Sequence, residues 1–263
     1  MKIGCCVNML ASTATKIGNE NIPVFKELGY DYIELPLAQV MDLSPEDFNK
    51  MYQQIKGIPV EACNNFFPPT VRLTGEEHNL DKALEYAKRA TQRAAMMGVS
   101  IIVLGSSGAK NIPEGFPYPQ AKEQFITLLG KLQDIAAPLG ITIVLEPLNS
   151  LESNFVLTAA EGLEIVKEVA CDNIKLLVDY YHMRMENESL DILKKAGKDL
   201  MHLHIAAKEG RKFPNQTDGE DYKPFFETLK AVGYDARISV EGFSENIQQD
   251  GSQAAKLLRG YIS

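Results

Sequence analysis

Short apolar runs rich in β-branched residues alternate along the chain with longer amphipathic stretches, and this alternation occurs eight times. A short apolar run predicts a buried β-strand, and apolar residues three or four positions apart over a longer stretch predict an amphipathic helix. The strands are predicted to begin near Ile3, Asp31, Ile58, Ser100, Ile141, Ile174, Leu200 and Arg237. The helices are predicted at roughly 18–28, 44–56, 76–97, 119–137, 158–170, 188–197, 221–232 and 249–261.

The joints between these elements support the interpretation. Ser44 followed by Pro45 is typical of a helix start, and Thr158 precedes an acidic first turn. Four fragments end a predicted helix with glycine and then enter a strand: KELGYDYIEL, AMMGVSIIVL, APLGITIVLE and KAVGYDARISVE. A regular βα series predicts parallel strands covered by helices, and eight such units close a barrel.

The predicted fold class is therefore α/β, a single (β/α)8 TIM barrel domain over residues 1–263. Its length fits the usual ~250 residues of that fold. An open doubly wound sheet is the alternative, but the chain lacks the GxGxxG and GxxxxGK[ST] phosphate turns that such a sheet normally carries. The longest irregular segment, 105–119, follows the fourth strand, and we interpret it as a candidate lid over the active face.

Four consecutive predicted strands end in a side chain that can bind a metal ion: Glu146, Asp179, His204 and Glu241. They are separated by 33, 25 and 37 residues, which is one βα unit each. The carboxyl ends of barrel strands converge on one mouth, where three unpaired carboxylates would repel one another. A bound cation removes this conflict. The oxygen-rich set favours one divalent ion, Mn2+ above Mg2+ or Co2+, and it leaves Zn2+ open.

Other polar residues near the predicted mouth are candidates for substrate binding. His182 follows Asp179 on the same loop, Glu152 lies beyond Glu146, and Arg211 follows the seventh strand. The alternative interpretation of each is a solvated loop residue, and for Arg211 a solvated basic turn is the default. His202 lies one layer deeper than His204, and we predict it to be a packed, hydrogen-bonded core histidine.

At these motifs the sequence resembles the xylose-isomerase-like barrel superfamily, and within it most closely the D-tagatose/D-psicose 3-epimerase group. The similar segments are EPLNSLE from Glu146, DYYH from Asp179, HLHI around His204 and SVEG around Glu241. The resemblance implies that these four residues bind the metal and that the two glutamates also transfer protons. It further implies substrate contacts by Glu152, His182 and Arg211.

The chain also departs from that group. Ser150 stands where the epimerases usually have Arg, and Arg211 is offset by one position from the expected substrate-binding Arg. The chain has no Trp, although relatives commonly stack one on the sugar. The aromatic residues that would replace it are Phe66, Phe116, Phe155 or Tyr181. These departures affect the prediction of the substrate more than the prediction of the metal site.

The predicted function is a metal-dependent epimerase that inverts C3 of a ketose through a cis-enediolate. The metal acidifies the C3 proton, and Glu146 and Glu241 act from different sides of the pocket. The alternatives are an aldose–ketose or hydroxypyruvate-type isomerase and an inosose-type dehydratase on the same site. A DNA-repair endonuclease of this superfamily gathers extra histidines for three zinc ions. The third and fourth strands here end in Asn64 and in Leu104-Gly105, which supply none.

The composition limits the kinds of partner that we expect for this protein. A net charge of −8 and a pI of about 5.2 exclude nucleic acid as an expected partner, and no apolar run is long enough for a membrane helix. The four cysteines match neither a metal knuckle nor a disulfide framework, and the N-terminus shows no signal-peptide pattern. We therefore expect a cytoplasmic protein with a small sugar as its substrate. A homo-oligomer is left open.

Overall fold

The computed structural model describes residues 1–12 and 14–262, so Thr13 and Ser263 of the predicted domain lie outside the described residues. Over the described ranges, eight parallel strands form a closed barrel in chain order, and the eighth pairs with the first. The predicted fold class is confirmed. The strands are β1 Lys2–Cys6, β2 Tyr32–Pro36, β3 Val60–Asn64, β4 Ile101–Leu104, β5 Thr142–Leu145, β6 Ile174–Asp179, β7 Leu200–Ile205 and β8 Arg237–Val240.

Helices cover the outside of the barrel. They are α1 Ile22–Glu27, α2 Leu37–Met41, α3 Pro45–Gln54, α4 Leu80–Met96, α5 Ser107–Lys110, α6 Tyr118–Ala136, α7 Ala159–Val169, α8 Tyr180–Met185, α9 Asp191–Ala196, α10 Lys223–Ala231 and α11 Ile247–Ile262. The short helices α2 and α8 directly follow strands, α5 follows β4 after two intervening residues, and none of the three was predicted. They span only four to six residues, too few for an amphipathic repeat to be visible in the sequence.

Two predicted helix starts have the expected capping hydrogen bonds. The Ser44 hydroxyl accepts from the backbone N–H of Asp47 at 3.1 Å, and the Thr158 hydroxyl accepts from that of Glu161 at 3.2 Å. Such a cap satisfies one of the free N–H groups of the first turn and contributes about 1 kcal/mol. The starts of α3 and α7 are thereby defined by local sequence.

Alternate side chains of each strand point into the barrel, and the rest pack against the helices. The apolar part of the inner layer is formed by Tyr32, Ala62, Ile101, Val103, Val144 and Leu177. Above this layer the inner face becomes polar, with Glu34, His202, His204 and Ser239 all fully buried. The polar groups therefore lie toward the carboxyl ends of the strands, where a barrel has its active face.

The candidate lid segment 105–119 contains α5 and reaches the start of α6. Its residues 113–117 line a cavity of about 790 Å3 together with Arg72, Glu76 and Glu77. Its role as a lid stays a prediction. Among the described residues, no helix has the length and apolar character needed to cross a membrane.

Candidate metal centre and active site

The carboxyl ends of β5, β6 and β8 bring three acidic side chains to one point. Glu146, Asp179 and Glu241, with His182 of α8, each offer an atom that lies within 4.8 Å of the others. We call these four residues the mouth cluster. Their exposed fractions are between 2 and 7%, so the group is almost completely removed from solvent. Each acid lies at or one residue beyond a strand end, as predicted.

His204 of β7 borders the mouth cluster from below. Its Nδ1 lies 2.9 Å from Glu146 Oε1 and 3.3 Å from Glu241 Oε2. The structure therefore brings the three predicted acids together with His182, and the predicted ligand His204 contacts two of these acids, Glu146 and Glu241. The assignment of the ligands rests on which of the two histidines presents a free electron pair to the acids.

The position of the proton on His182 shows which group this ring presents to the acids. The backbone N–H of Asn149 donates to His182 Nδ1 at 3.2 Å, so Nδ1 is an acceptor and the ring carries its proton on Nε2. Burial and the nearby Arg211 lower the pKa of His182 to about 3, which keeps the ring neutral. His182 therefore points an N–H donor at the mouth cluster, which suits a substrate oxygen better than a metal ion.

Burial and mutual repulsion perturb the acids strongly. Burial raises the pKa of Asp179 to about 7, with Glu241 adding to the shift and Arg211 opposing it. Burial also raises the pKa of Glu146. Burial opposes ionisation of Glu241 as well, but His204 and Arg211 outweigh it and lower the pKa of Glu241 to about 2. Three carboxylates cannot all ionise here without added positive charge.

The donor set fits a divalent cation. Asp179 Oδ2 is buried and has no hydrogen-bond partner among the described residues, although His182 Nε2 lies 3.4 Å away in poor geometry. Buried polar atoms without a partner are rare and costly. Carboxylate oxygens from Glu146, Asp179 and Glu241 with the Nδ1 of His204 form a set that Mn2+, Mg2+, Co2+ and Zn2+ accept.

Arg211 and Glu152 lie over the mouth cluster. The Arg211 guanidinium is 2.5 Å from Glu241 Oε2 and 3.2 Å from Glu152, and it stacks 4.8 Å above the ring of Tyr181. The backbone at Arg211 is left-handed, with φ of 49°, next to Gly210 with φ of 69°. This uncommon conformation for a non-glycine residue turns the side chain toward the mouth. Two residues predicted to bind substrate therefore sit at its entrance.

Three supporting residues were not assigned a role from the sequence. Asn64, at the end of β3, donates from Nδ2 to Glu241 Oε1 at 3.2 Å. Gly105 follows β4, where a Cβ would lie 2.2 Å from Glu146 Oε2, so only glycine leaves room for that carboxylate. Lys110 is fully buried and donates to the backbone carbonyl of Glu146 at 3.2 Å. Asn64 and Gly105 stand at strand ends like the acids, and that position was the available signal.

Lys110 gives a stability prediction. Burial lowers its pKa to about 7, whereas an unfolded lysine titrates near 10.4. The unfolded chain therefore binds more protons between these values, and wild-type stability rises with pH across that window. We expect Lys110→Met to be more stable than wild type at pH 7 by about 1–3 kcal/mol, because the buried charge is removed.

The measurement is urea unfolding of both proteins at pH 7 and at alkaline pH. The difference should shrink as pH rises, since the wild-type lysine is then neutral in both states. Groups distant from Lys110 titrate equally in the two proteins, so the comparison reports on Lys110 and its immediate neighbours. A difference that does not depend on pH would contradict this account.

The sequence matches the xylose isomerase-like TIM barrel family over residues 22–261. It is 30% identical over 233 residues to L-ribulose 3-epimerase of Methylomonas sp., covering 83% of this chain and 76% of that protein. It is 25% identical over 228 residues to D-psicose 3-epimerase of Agrobacterium fabrum, covering 82% and 76%.

The fold is similar to a crystal structure of D-allulose 3-epimerase from Methylomonas sp. The TM-score is 0.85 at 22% identity, and the match covers 99% of this chain and 98% of that one. At this identity the likeness shows the barrel alone. The family match and the relative at 30% identity confirm the resemblance that the motifs indicated. The chain belongs to the xylose isomerase-like TIM barrel family.

Proposed function

We propose that this protein is a ketose 3-epimerase that uses Glu146 and Glu241 as its proton-transfer pair and one divalent ion, Mn2+ by preference, as its cofactor. Its similarity to curated sugar epimerases makes it a carbohydrate epimerase. The observation that carries the finer proposal is the meeting of the two glutamates at one histidine. They come from β5 and β8, three strands apart, and contact His204 Nδ1 at 2.9 and 3.3 Å.

Inversion at a carbon needs proton removal on one face and proton delivery on the other. Two carboxylates that reach the pocket from different strands can act on opposite faces of a substrate held between them. One removes the C3 proton, and the other returns a proton to the opposite face. In the reverse reaction the two exchange roles.

The residues that would hold the ion are Glu146, Asp179, His204 and Glu241. When bound, a divalent ion supplies Lewis-acid polarisation of the ketose carbonyl, which makes the C3 proton more acidic. His204 would bind through Nδ1, the nitrogen that faces the two glutamates.

Three further residues would orient the sugar. His182 offers its Nε2–H inside the mouth cluster, and burial strengthens a hydrogen bond to a substrate oxygen. Arg211 and Glu152 form an ion pair at the entrance, where the Glu152 side chain is 36% exposed. A sugar that enters the mouth replaces part of this pair with hydroxyl contacts.

The test is the reaction of D-fructose and other ketoses in deuterated water with Mn2+ present. We expect solvent deuterium at C3 of the inverted ketose, because the protons removed and delivered reside on different carboxylates. Exchange between C1 and C2 while C3 keeps its hydrogen and its configuration would reject the epimerase proposal. That outcome would indicate an aldose–ketose isomerase on the same site.

The proposal includes a cytoplasmic location and a small sugar as the partner. All four cysteines are free thiols, and three of them, Cys5, Cys6 and Cys63, are buried. Free thiols are the usual state in a reducing compartment, which supports this location.

A further inference from the structure

A second buried carboxylate lies beneath the candidate metal centre. Glu34 belongs to β2 and is fully buried on the inner face of the barrel. Its Oε1 is 3.1 Å from His204 Nε2, and its Oε2 is 2.9 Å from His202 Nε2 and 2.7 Å from the Ser239 hydroxyl. Glu34 therefore connects β2 to β7 and β8 at one point.

The directions of these hydrogen bonds follow from the available protons. The Ser239 hydroxyl has one proton and donates it to Glu34, so the Tyr32 hydroxyl, 2.8 Å from Ser239, must donate to Ser239. An ionised carboxylate only accepts, so both histidines donate from Nε2.

The contact with Glu34 determines which ring nitrogen of His204 carries a proton in the neutral ring. With Nε2 donating to Glu34, Nδ1 is the nitrogen that faces Glu146 and Glu241 and the one that a metal ion would occupy. Without an acceptor at Nε2, the neutral ring would carry its proton on Nδ1 and donate it to Glu146 at 2.9 Å. That tautomer offers no electron pair at Nδ1, so a metal ion would bind there only after the proton has moved. The other group near Nε2 is the Cys6 sulfur at 3.7 Å, which is a weak acceptor.

We propose that Glu34 is a positioning residue that holds the proton of His204 on Nε2 and thereby sets the metal affinity of the mouth. The inference rests on the proposed function in one respect, namely that His204 is a metal ligand. Partners behind a metal-bound histidine typically change metal affinity 10- to 100-fold when they are replaced. Glu34 is shared with His202, so it also anchors the ring plane of both histidines.

The test compares Glu34→Gln with wild type by Mn2+ titration, following the free ion by electron paramagnetic resonance. We expect Mn2+ to bind about 10- to 100-fold more weakly to the variant. The matched control is Glu61→Gln, because Glu61 of β3 forms ion pairs with Lys2 and Arg237 at the opposite end of the barrel. The control should bind Mn2+ like wild type. Equal affinity of folded Glu34→Gln and wild type would overturn the proposal.

A second readout separates positioning from a structural role. In wild type with histidine labelled for nitrogen NMR, we expect a hydrogen-bonded Nε2 proton on His204 and, with cadmium bound, coupling of the metal to Nδ1. Glu34→Gln should lose or shift the Nε2 proton. Cadmium coupling to Nε2 in wild type would overturn the proposal, even if the variant fails to fold.

The same measurements distinguish this inference from the proposed function. If wild type binds metal as expected but inverts no ketose, the epimerase proposal fails and the Glu34 result still stands. If wild type binds no metal, the metal centre fails, and with it the part of this inference that concerns affinity. The Nε2 proton of the metal-free protein then decides whether Glu34 orients His204, and its absence would overturn that part as well.

Discussion

We expect Glu241→Gln to lower kcat/KM for C3 epimerisation by more than the ~100-fold typical of one acid–base group, and we expect the same of Glu146→Gln. Glutamine keeps the shape of the side chain but cannot accept or deliver the proton. Each glutamate is also a proposed metal ligand, so the loss exceeds that of a base alone. The measurement is steady-state kinetics at saturating Mn2+, with metal content determined in the same preparations.

The control for these variants is Glu186→Gln. Glu186 lies near the mouth but accepts hydrogen bonds from Ser150, outside the mouth cluster. Its replacement should leave turnover close to wild type. The double variant of Glu146 and Glu241 should lose little more than either single variant, since the two act as a unit. A metal-loaded single variant with wild-type turnover would reject the two-base mechanism.

The second large effect concerns the metal itself. Wild type should hold about one divalent ion per chain, and His204→Ala and Asp179→Ala should each lower that occupancy sharply, because each removes a direct ligand. The readouts are elemental analysis after dialysis and the rise in Tm on adding Mn2+. A ligand at 100 times its Kd stabilises the folded state by about 2.7 kcal/mol, so variants that no longer bind should show no such rise.

The variant His182→Gln tests the assigned roles of the two histidines. The backbone N–H of Asn149 holds the His182 proton on Nε2, so this variant should keep its metal and raise KM for the sugar. The opposite pattern, in which His182→Gln loses the ion and His204→Ala retains it, would exchange the assigned roles of the two histidines.

The sequence by itself predicted the eight βα units and the closed barrel, because the spacing of apolar residues is a local property of each element. It also placed Glu146, Asp179, His204 and Glu241 at strand ends. In a parallel barrel all strand ends converge, so their approach to one another followed from the fold class. The short helices α2, α5 and α8 were missed because so few residues show no repeat.

Only the tertiary structure decided how the mouth is supported. The contacts of Glu34 with His202 and His204 join β2 to β7 through residues that are 168 and 170 positions apart in sequence. Their pairing depends on how side chains at one level meet across the barrel, which no local pattern encodes. No local pattern predicts the contact of Lys110 either, which donates to the backbone carbonyl of Glu146.

The proton positions on the two histidines also depend on the tertiary structure. From the sequence, His204 at a strand end was assigned to the metal and His182 on the following loop to the substrate. In the structure, the N–H of Asn149 makes Nδ1 of His182 an acceptor, and the carboxylate of Glu34 makes Nε2 of His204 a donor. Donor and acceptor nitrogens are set by partners from other elements, so the sequence indicated where the candidate ligands are and only the fold placed the partners that orient them.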